Sequence, residues 1–247
     1  MFKLQLGREY ERILDFIKQT FRAKNKETAV IGLSGGLDSA LVAYLTIAVL
    51  GRRRTRLINL PYWKQTQSEI RQMKLLESTL NKPSSKINIK KIVDEFMNRV
   101  DVNRESAGNI MARVRMTILF NASSLSEGLV LGTGNKSEIL LGYYTLYGDS
   151  ACALAPIAHL YKTQVYDLAR YIGIPKEIID LPPSAGLWKG QTDEKELGAT
   201  YGKIDEILYT IENSSLKENK VFENNLFNQI VDRVNNNKFK TIPALTL

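Results

Sequence analysis

The chain has almost none of the residues from which several kinds of site are built. It contains one cysteine, Cys152, and one histidine, His159, in 247 residues. A single cysteine excludes a disulfide framework and a CxxC metal site, and no credible Ser/His/Asp triad can be assembled around His159. No apolar run reaches the length of a membrane span, and Met1 to Leu6 lack the pattern of a signal peptide. We therefore expect a reduced, cytoplasmic protein that does not enter a membrane.

Composition and charge indicate one ordinary folded unit. Hydrophobic residues make up 44% of the chain and charged residues 24%, which are globular values, and we expect a single domain over residues 1–247. The net charge is +8, but Arg52–Arg56 is the sole dense basic run and carries no aromatic residue. Such a run is typical of a solvated loop that complements a helix C-terminus. A positive field also suits an enzyme with polyanionic substrates, so we predict no nucleic-acid partner.

The most informative segment is Ser34-Gly-Gly-Leu-Asp-Ser39. It follows an apolar run that predicts a buried strand, and it precedes a run with the composition of a buried helix. Gly35 and Gly36 let backbone N–H groups approach an anion, and a helix N-terminus favours negative charge. Asp38 is placed to hold Mg²⁺ against phosphates. The strand, loop and helix together predict a phosphate-binding loop rather than a turn that merely contains glycine.

This loop is not a Walker A loop. That motif has a lysine and then Ser or Thr after its second glycine, where this chain has Asp38-Ser39. Without a lysine for the β- and γ-phosphates, the loop suits cleavage between the α- and β-phosphates with pyrophosphate as leaving group.

The order of elements predicts an α/β fold with a doubly wound, mostly parallel sheet and a helical C-terminal part. Both glycine-rich loops, 34–39 and 132–138, then lie at the carboxyl edge of the sheet, where ligands bind. Residues 181–200 hold two prolines and little periodicity, and we predict that they form a mobile lid loop. The predicted elements are helices at 8–21, 68–80 (with Ser68 as N-cap), 109–124, 163–171, 194–209 and 222–234, a helix after 89 reaching about 102, and strands at 28–33, 57–60, 87–89 and 129–131.

SGGLDS resembles the signature loop of the N-type ATP pyrophosphatases. Further segments resemble the ammonia-dependent NAD synthetases in their order and spacing: Gly108–Met116, Gly132–Pro175, Pro182–Trp188 and Gln191–Gly198. The resemblance implies the adenine-nucleotide α-hydrolase-like (Rossmann-like) fold. It implies conversion of deamido-NAD, ATP and ammonia to NAD, AMP and pyrophosphate through an adenylated nicotinate carboxylate. It also implies Mg²⁺ as cofactor, ATP as co-substrate and a homodimer.

The same resemblance assigns site residues. It implies Asp38 and Glu138 as metal ligands, and Asp38, Lys162 and Asp149 as catalytic residues. For deamido-NAD it implies Arg113, Tyr144 and Asp149. For ATP it implies Gly32, Leu33, Ser34, Gly35, Gly36, Leu37, Asp38, Ser39, Thr133, Lys162 and Ser184. Taken alone, Glu138 also reads as a first-turn helix acid, and the tyrosines of 142–149 as packing residues.

The chain departs from the family pattern at several positions that the resemblance implies for binding deamido-NAD. Leu146 stands where many members have lysine, and Gly186 replaces an acid. A C-terminal His-Lys pair is absent, with Asn237-Lys238 as its nearest approximation. Two alternatives therefore stay open: a tRNA-modifying enzyme with the same loop, and a nucleotide-binding module that has lost catalysis.

Overall fold

The computed structural model describes residues 4–188, 190–213 and 225–242. Four parallel strands form one sheet in the order β3-β2-β1-β4, and Leu154 adds a parallel bridge beside Leu131 at the β4 edge. The predicted α/β class and parallel sheet are confirmed. The elements are α1 (Leu6–Ala23), β1 (Ala29–Gly32), α2 (Leu37–Leu50), β2 (Thr55–Asn59), α3 (Gln67–Leu80), β3 (Ser85–Lys86), α4 (Lys90–Met97), α5 (Arg104–Leu125), β4 (Leu129–Leu131), α6 (Lys136–Leu141), α7 (Lys162–Tyr171), α8 (Lys176–Ile179), α9 (Asp193–Leu197), α10 (Tyr201–Asn213) and α11 (Asn225–Asn237), with 3-10 turns at Arg52–Arg54 and Lys238–Thr241.

Both faces of the sheet are covered, because alternate strand residues point to opposite sides. On β1, Ile31 packs in a core shared with α1, α2, α3 and α7, whereas Val30 packs in a second core with α4 and α5. Burial on both faces explains why the strands are continuous apolar runs. A third core joins α6 to α9, α10 and α11 around Leu141, Tyr201 and Ile204. The helical C-terminal part therefore packs on α6, the helix that follows β4 in the chain.

Three predicted boundaries are wrong for local reasons. The N-cap of α3 is Thr66 and not Ser68, because Thr66 and Glu69 form a reciprocal capping box. The third strand is Ser85–Lys86 rather than 87–89, since only those two residues pair with β2. The predicted helix 194–209 is split into α9 and α10 by Gly198, whose φ of +76° is left-handed.

Three other boundaries concern α4, α5 and α11. α4 ends at Met97 instead of about residue 102, and α5 begins earlier than predicted, because Asn103 caps it by accepting from the Ser106 amide. The start of the predicted helix 222–234 lies outside the described residues.

The basic run contacts helix C-termini. Arg54 donates to the Leu50 carbonyl at the end of α2 (3.1 Å), and Arg52 donates to the Leu80 carbonyl at the end of α3 (2.9 Å). These contacts satisfy carbonyls that have no partner within their helices. The run therefore plays the structural role expected of it. No helix in the described part of the chain has the length and apolarity needed to cross a membrane.

Candidate active site

Hydrogen bonds of its own serine hydroxyl groups fix the conformation of the loop between β1 and α2. Ser39 Oγ donates to the Gly36 carbonyl (3.0 Å) and accepts from the Ser34 amide (3.2 Å), and the two serine hydroxyls lie 3.0 Å apart. Gly35 has a φ of +93°, a conformation that a side chain would strain. The loop thus presents its backbone and the N-terminus of α2 at the carboxyl edge of the sheet, as predicted. This geometry suits an anion.

Asp38, in the first turn of α2, contacts a buried lysine. Lys162, the first residue of α7, is 3% exposed, and its Nζ donates to Asp38 Oδ2. The same Nζ lies 3.6 Å from Glu138 Oε1 on α6. We call Asp38 and Glu138 the carboxylate pair. Three residues that are far apart in sequence are therefore brought together as the resemblance implied.

Asn135 fixes the carboxylate pair in place. Its side-chain oxygen accepts from the Glu138 amide (3.0 Å), while Glu138 Oε2 accepts from the Asn135 amide (3.1 Å), which forms a capping box at the start of α6. Asn135 Nδ2 donates to Asp38 Oδ1 (3.1 Å). One fully buried side chain therefore caps a helix and orients both carboxylates.

Lys162 is held at its backbone by a second polar network. Its amide donates to Ser137 Oγ (2.9 Å), Ser137 donates to Asp205 on α10, and Asp205 accepts from the Thr163 amide (2.8 Å). The ring of Tyr201 lies 5.4 Å from the Lys162 ammonium, within cation–π range. The C-terminal helices thus fix the position of Lys162, the cation that contacts the carboxylate pair within the described part of the chain.

The site carries strongly perturbed charges. Burial alone would lower the pKa of Lys162, but the Asp38 and Glu138 carboxylates raise it, so this lysine is a permanent cation. Burial raises the pKa of Glu138 to about 8, with the Lys162 charge opposing this and the Asp38 charge adding to it. With a pKa of about 8, Glu138 is largely protonated at neutral pH. Ionisation of both members of the carboxylate pair therefore calls for a second cation beside Lys162.

A second group of residues assembles around loop 142–149. Arg113, exposed on α5, donates from Nε to the Leu146 carbonyl (3.3 Å). Asp149 Oδ1 accepts from the Thr145 amide (2.9 Å), which closes the loop on itself. Tyr144 is half-buried, and burial together with the Asp149 charge raises the pKa of its phenol. Arg113, Tyr144 and Asp149 thus belong to one region, as the resemblance implied.

The remaining predicted ATP contacts lie on two segments. Thr133 is half-buried where β4 opens into the second glycine-rich loop. Ser184 is exposed, and its Oγ accepts from the Gly186 amide (3.1 Å). Within the described part of the chain, neither residue forms a hydrogen bond with the carboxylate pair.

The predicted lid segment is folded on itself and packed on α5. The Ala185 amide donates to Asp193 Oδ1 (3.1 Å). The Arg104 guanidinium carbon lies 4.2 Å from the centroid of the Trp188 ring, and a Cβ at Gly108 would lie 3.0 Å from the Leu187 side chain. These contacts connect the segment with the helix that carries Arg113. The mobility of the segment stays a prediction.

Comparison with known proteins decides the family. The family model described as NAD synthase matches residues 9–244. The chain belongs to the NAD synthase family. It is 43% identical over 246 residues to the NH(3)-dependent NAD(+) synthetase of Fusobacterium nucleatum subsp. nucleatum, covering 96% of this chain and 94% of that protein. It is 42% identical over 237 residues to the protein of the same name from Pyrococcus furiosus, covering 95% and 90% of the two chains.

Two solved structures share the fold over almost the entire chain. The NH3-dependent NAD synthetase from Campylobacter jejuni, solved with a nitrate ion, has a TM-score of 0.85 at 33% sequence identity and covers 99% of this chain and 100% of its own. An NMN synthetase from Francisella tularensis has a TM-score of 0.88 at 31% identity and covers 99% of both chains. The predicted adenine-nucleotide α-hydrolase-like fold is therefore confirmed.

The sequence alone does not single out several residues that support this candidate site. Asn135 had a readable signal, since Asn-x-x-Glu before an apolar run is a capping box. Ser137, Asp205 and Tyr201 had none, because the contacts that link them to Lys162, to Thr163 and to one another span 25 to 68 residues of the chain. Lys240 was also missed: its Nζ donates to the Gly142 carbonyl (2.7 Å), whereas Lys238 of the suggested Asn-Lys approximation is exposed.

Proposed function

We propose that this ligase of the NAD synthase family amidates deamido-NAD with ammonia, consuming ATP and releasing NAD, AMP and pyrophosphate. The observation that carries the proposal is the junction of Asp38, Glu138 and Lys162 directly behind the phosphate-type loop. A relay of general bases is not needed, because the nicotinate carboxylate is already ionised at neutral pH. That carboxylate is itself the nucleophile.

The chemistry proceeds in two displacements. A carboxylate oxygen attacks the α-phosphorus of ATP, a new P–O bond forms, and the bond to pyrophosphate breaks with its electron pair on the leaving group. Ammonia then attacks the carbonyl carbon, AMP leaves with the original carboxylate oxygen, and the nitrogen loses a proton. Lys162 stabilises the charge that grows on the leaving pyrophosphate, and the loop amides orient the phosphates.

We further propose Mg²⁺ as the second cation at the carboxylate pair. Two carboxylate oxygens together with phosphate oxygens meet the octahedral, oxygen-rich demand of magnesium. Among the described residues no group of three or more His, Cys, Asp or Glu could hold a metal, so ATP would supply the other ligands. The raised pKa of Glu138 supports the fit, since a bound cation would favour its ionised form. The ion would neutralise phosphate charge.

For deamido-NAD we propose Arg113, Tyr144 and Asp149. A guanidinium suits the dinucleotide's pyrophosphate, a half-buried phenol ring suits the pyridine face, and the carboxylate lies at the end of the same loop. For ATP we propose residues 32–39 with Thr133, Lys162 and Ser184. The cytoplasmic location stays a prediction from the sequence.

We also propose a homodimer, supported by an unpartnered apolar face on α4. Ile92 and Phe96 lie four residues apart on one side of that helix and are 52% and 53% exposed, and Val100 and Val102 after it are exposed as well. We call these four residues the α4 apolar face. A two-fold contact would bury the same face of both copies. α4 packs on α5, so the interface would adjoin the helix that carries Arg113.

The test measures pyrophosphate release and NAD formation by the purified chain with ATP and ammonium. Release of pyrophosphate that depends on deamido-NAD and equals the amount of NAD formed supports the proposal. It also separates this enzyme from a tRNA-modifying enzyme or an inactive module.

A second arm of the experiment uses nicotinate mononucleotide as the competing substrate, because an NMN synthetase shares the fold. A higher kcat/KM for the mononucleotide would overturn deamido-NAD as the substrate. Glutamine replaces ammonium in a third arm, where we expect no turnover, since a glutaminase nucleophile cannot be assigned to Cys152 within the substrate segment.

A further inference from the structure

The end of the described chain folds back against loop 142–149. Lys240, in the 3-10 turn after α11, donates from Nζ to the Gly142 carbonyl (2.7 Å) and to the Tyr144 carbonyl (3.3 Å). The same ammonium lies 5.4 Å from the centroid of the Tyr144 ring. One lysine therefore holds both the main chain and the ring face of the residue that we place against the pyridine ring.

The contact between the two segments is close and leaves little freedom. Gly142 ends α6 with a φ of +61°, and a Cβ there would lie 2.2 Å from Asn237 Cβ. The Arg233 guanidinium carbon lies 5.5 Å from the Tyr143 ring, on the residue between the two carbonyls that Lys240 binds. A cation at the C-terminal end of α6 also complements the partial negative charge of that helix end. Loop 142–149 is thus fastened at its start by the C-terminal segment.

The surroundings of Lys240 direct its ammonium group at the loop. Burial and the Arg233 charge hold the pKa of Lys240 below its usual value, although the Glu105 and Asp149 charges oppose this. Two of the three N–H donors of the ammonium are already directed at carbonyl oxygens. The lysine therefore acts on the loop rather than on a ligand.

We propose that Lys240 is a positioning residue for the deamido-NAD subsite, which holds the main chain of Tyr144 so that its ring faces the substrate. The inference rests on the proposed function. Lys238, two residues earlier and exposed, has no such part.

The experiment compares Lys240→Met with Lys240→Arg and with the matched control Lys238→Met in the full-length chain. We expect Lys240→Met to raise KM for deamido-NAD about tenfold, with KM for ATP changed less than twofold, because losing a charged hydrogen bond costs a free energy of this order. Lys240→Arg should recover most of the loss, and Lys238→Met should match the wild type. A merely structural anchor would lower the melting temperature without a selective effect on one substrate.

Three results overturn the inference while leaving the proposed function intact: unchanged kinetics in Lys240→Met, an equal rise in both KM values, or the same change in Lys238→Met. Should Lys240→Met fail to fold, Lys240→Gln is measured instead, and failure of both to fold would make Lys240 a structural anchor and overturn the inference. A wild-type chain that does not use deamido-NAD would overturn the proposed function, and this inference with it.

Discussion

Replacing Lys162 by methionine removes the buried cation that contacts both members of the carboxylate pair. The methionine keeps most of the side-chain volume, so the change tests charge and not packing. We expect kcat to fall about 10²- to 10³-fold, since loss of one preorganised charge-stabilising group costs about 3–4 kcal/mol of transition-state stabilisation. KM for ATP should rise far less.

The stability cost of this change is smaller than for a fully buried ion pair. Removing one partner of such a pair costs about 3–5 kcal/mol. The side chains of Asp38 and Glu138 are 18% and 19% exposed, so water reaches both carboxylates, and protonation of one of them lowers the cost further. We therefore expect a loss of about 1–3 kcal/mol, which for a chain of this size lowers the melting temperature by about 2–12 °C.

The assays are steady-state pyrophosphate release and thermal unfolding. Lys136→Met is the matched control, because Lys136 lies on the same helix as Glu138 but pairs with Glu212 (2.7 Å) instead of the carboxylate pair. The control should keep wild-type kcat. Turnover of Lys162→Met within threefold of the wild type, with a normal fold, would refute the role given to this lysine.

Asp38→Ala and Glu138→Ala should each lower turnover by orders of magnitude and weaken the apparent Mg²⁺ affinity; normal activity in saturating Mg²⁺ would remove that residue from the metal site. Phe96→Asp should turn a dimer into a monomer in sedimentation experiments while the melting curve stays cooperative, and an unchanged dimer would exclude the α4 apolar face. Although burial raises the pKa of the Glu9 carboxyl group, the hydrogen bonds that it accepts from His159 (2.6 Å) and Arg12 hold that pKa below normal. The stabilisation from these bonds is therefore complete above about pH 4.5 and is lost on further acidification. Glu9→Gln should lower the free energy of unfolding by about 1–2 kcal/mol at pH 7 and by little at pH 3, and an equal loss at both pH values would contradict this.

The sequence predicted the parts of this molecule that depend on local pattern. The apolar runs of β1, β2 and β4 and the glycine loop between β1 and α2 were correct because burial on both faces and phosphate-type loops leave local signals. The third strand was misplaced because Ser85 and Lys86 are exposed edge residues without an apolar run. The resemblance implied site roles for Asp38, Glu138 and Lys162. Only the folded structure shows that Lys162 contacts both carboxylates.

What could not be predicted is the support around the site. Asp205 holds the start of α7 from α10, and Lys240 holds the start of loop 142–149 from beyond α11. Neither residue differs in its sequence neighbourhood from a solvated surface residue. Their roles are set by tertiary packing of the C-terminal helices, which sequence periodicity does not report. Tertiary packing also decides where a charge tests the dimer. Ile118 on α5 packs against the core that contains Val93 of α4, whereas Phe96 is exposed and is the better position.

Attack of the nicotinate carboxylate on the α-phosphate of ATP leaves an isotopic record in the products. Deamido-NAD labelled with ¹⁸O in both oxygens of that carboxylate is incubated with ATP and ammonium, and the products are measured by mass spectrometry. We expect one ¹⁸O in the phosphate of AMP, none in pyrophosphate, and one retained in the amide of NAD. Label in pyrophosphate, or NAD formed with no ¹⁸O in AMP, would contradict this attack.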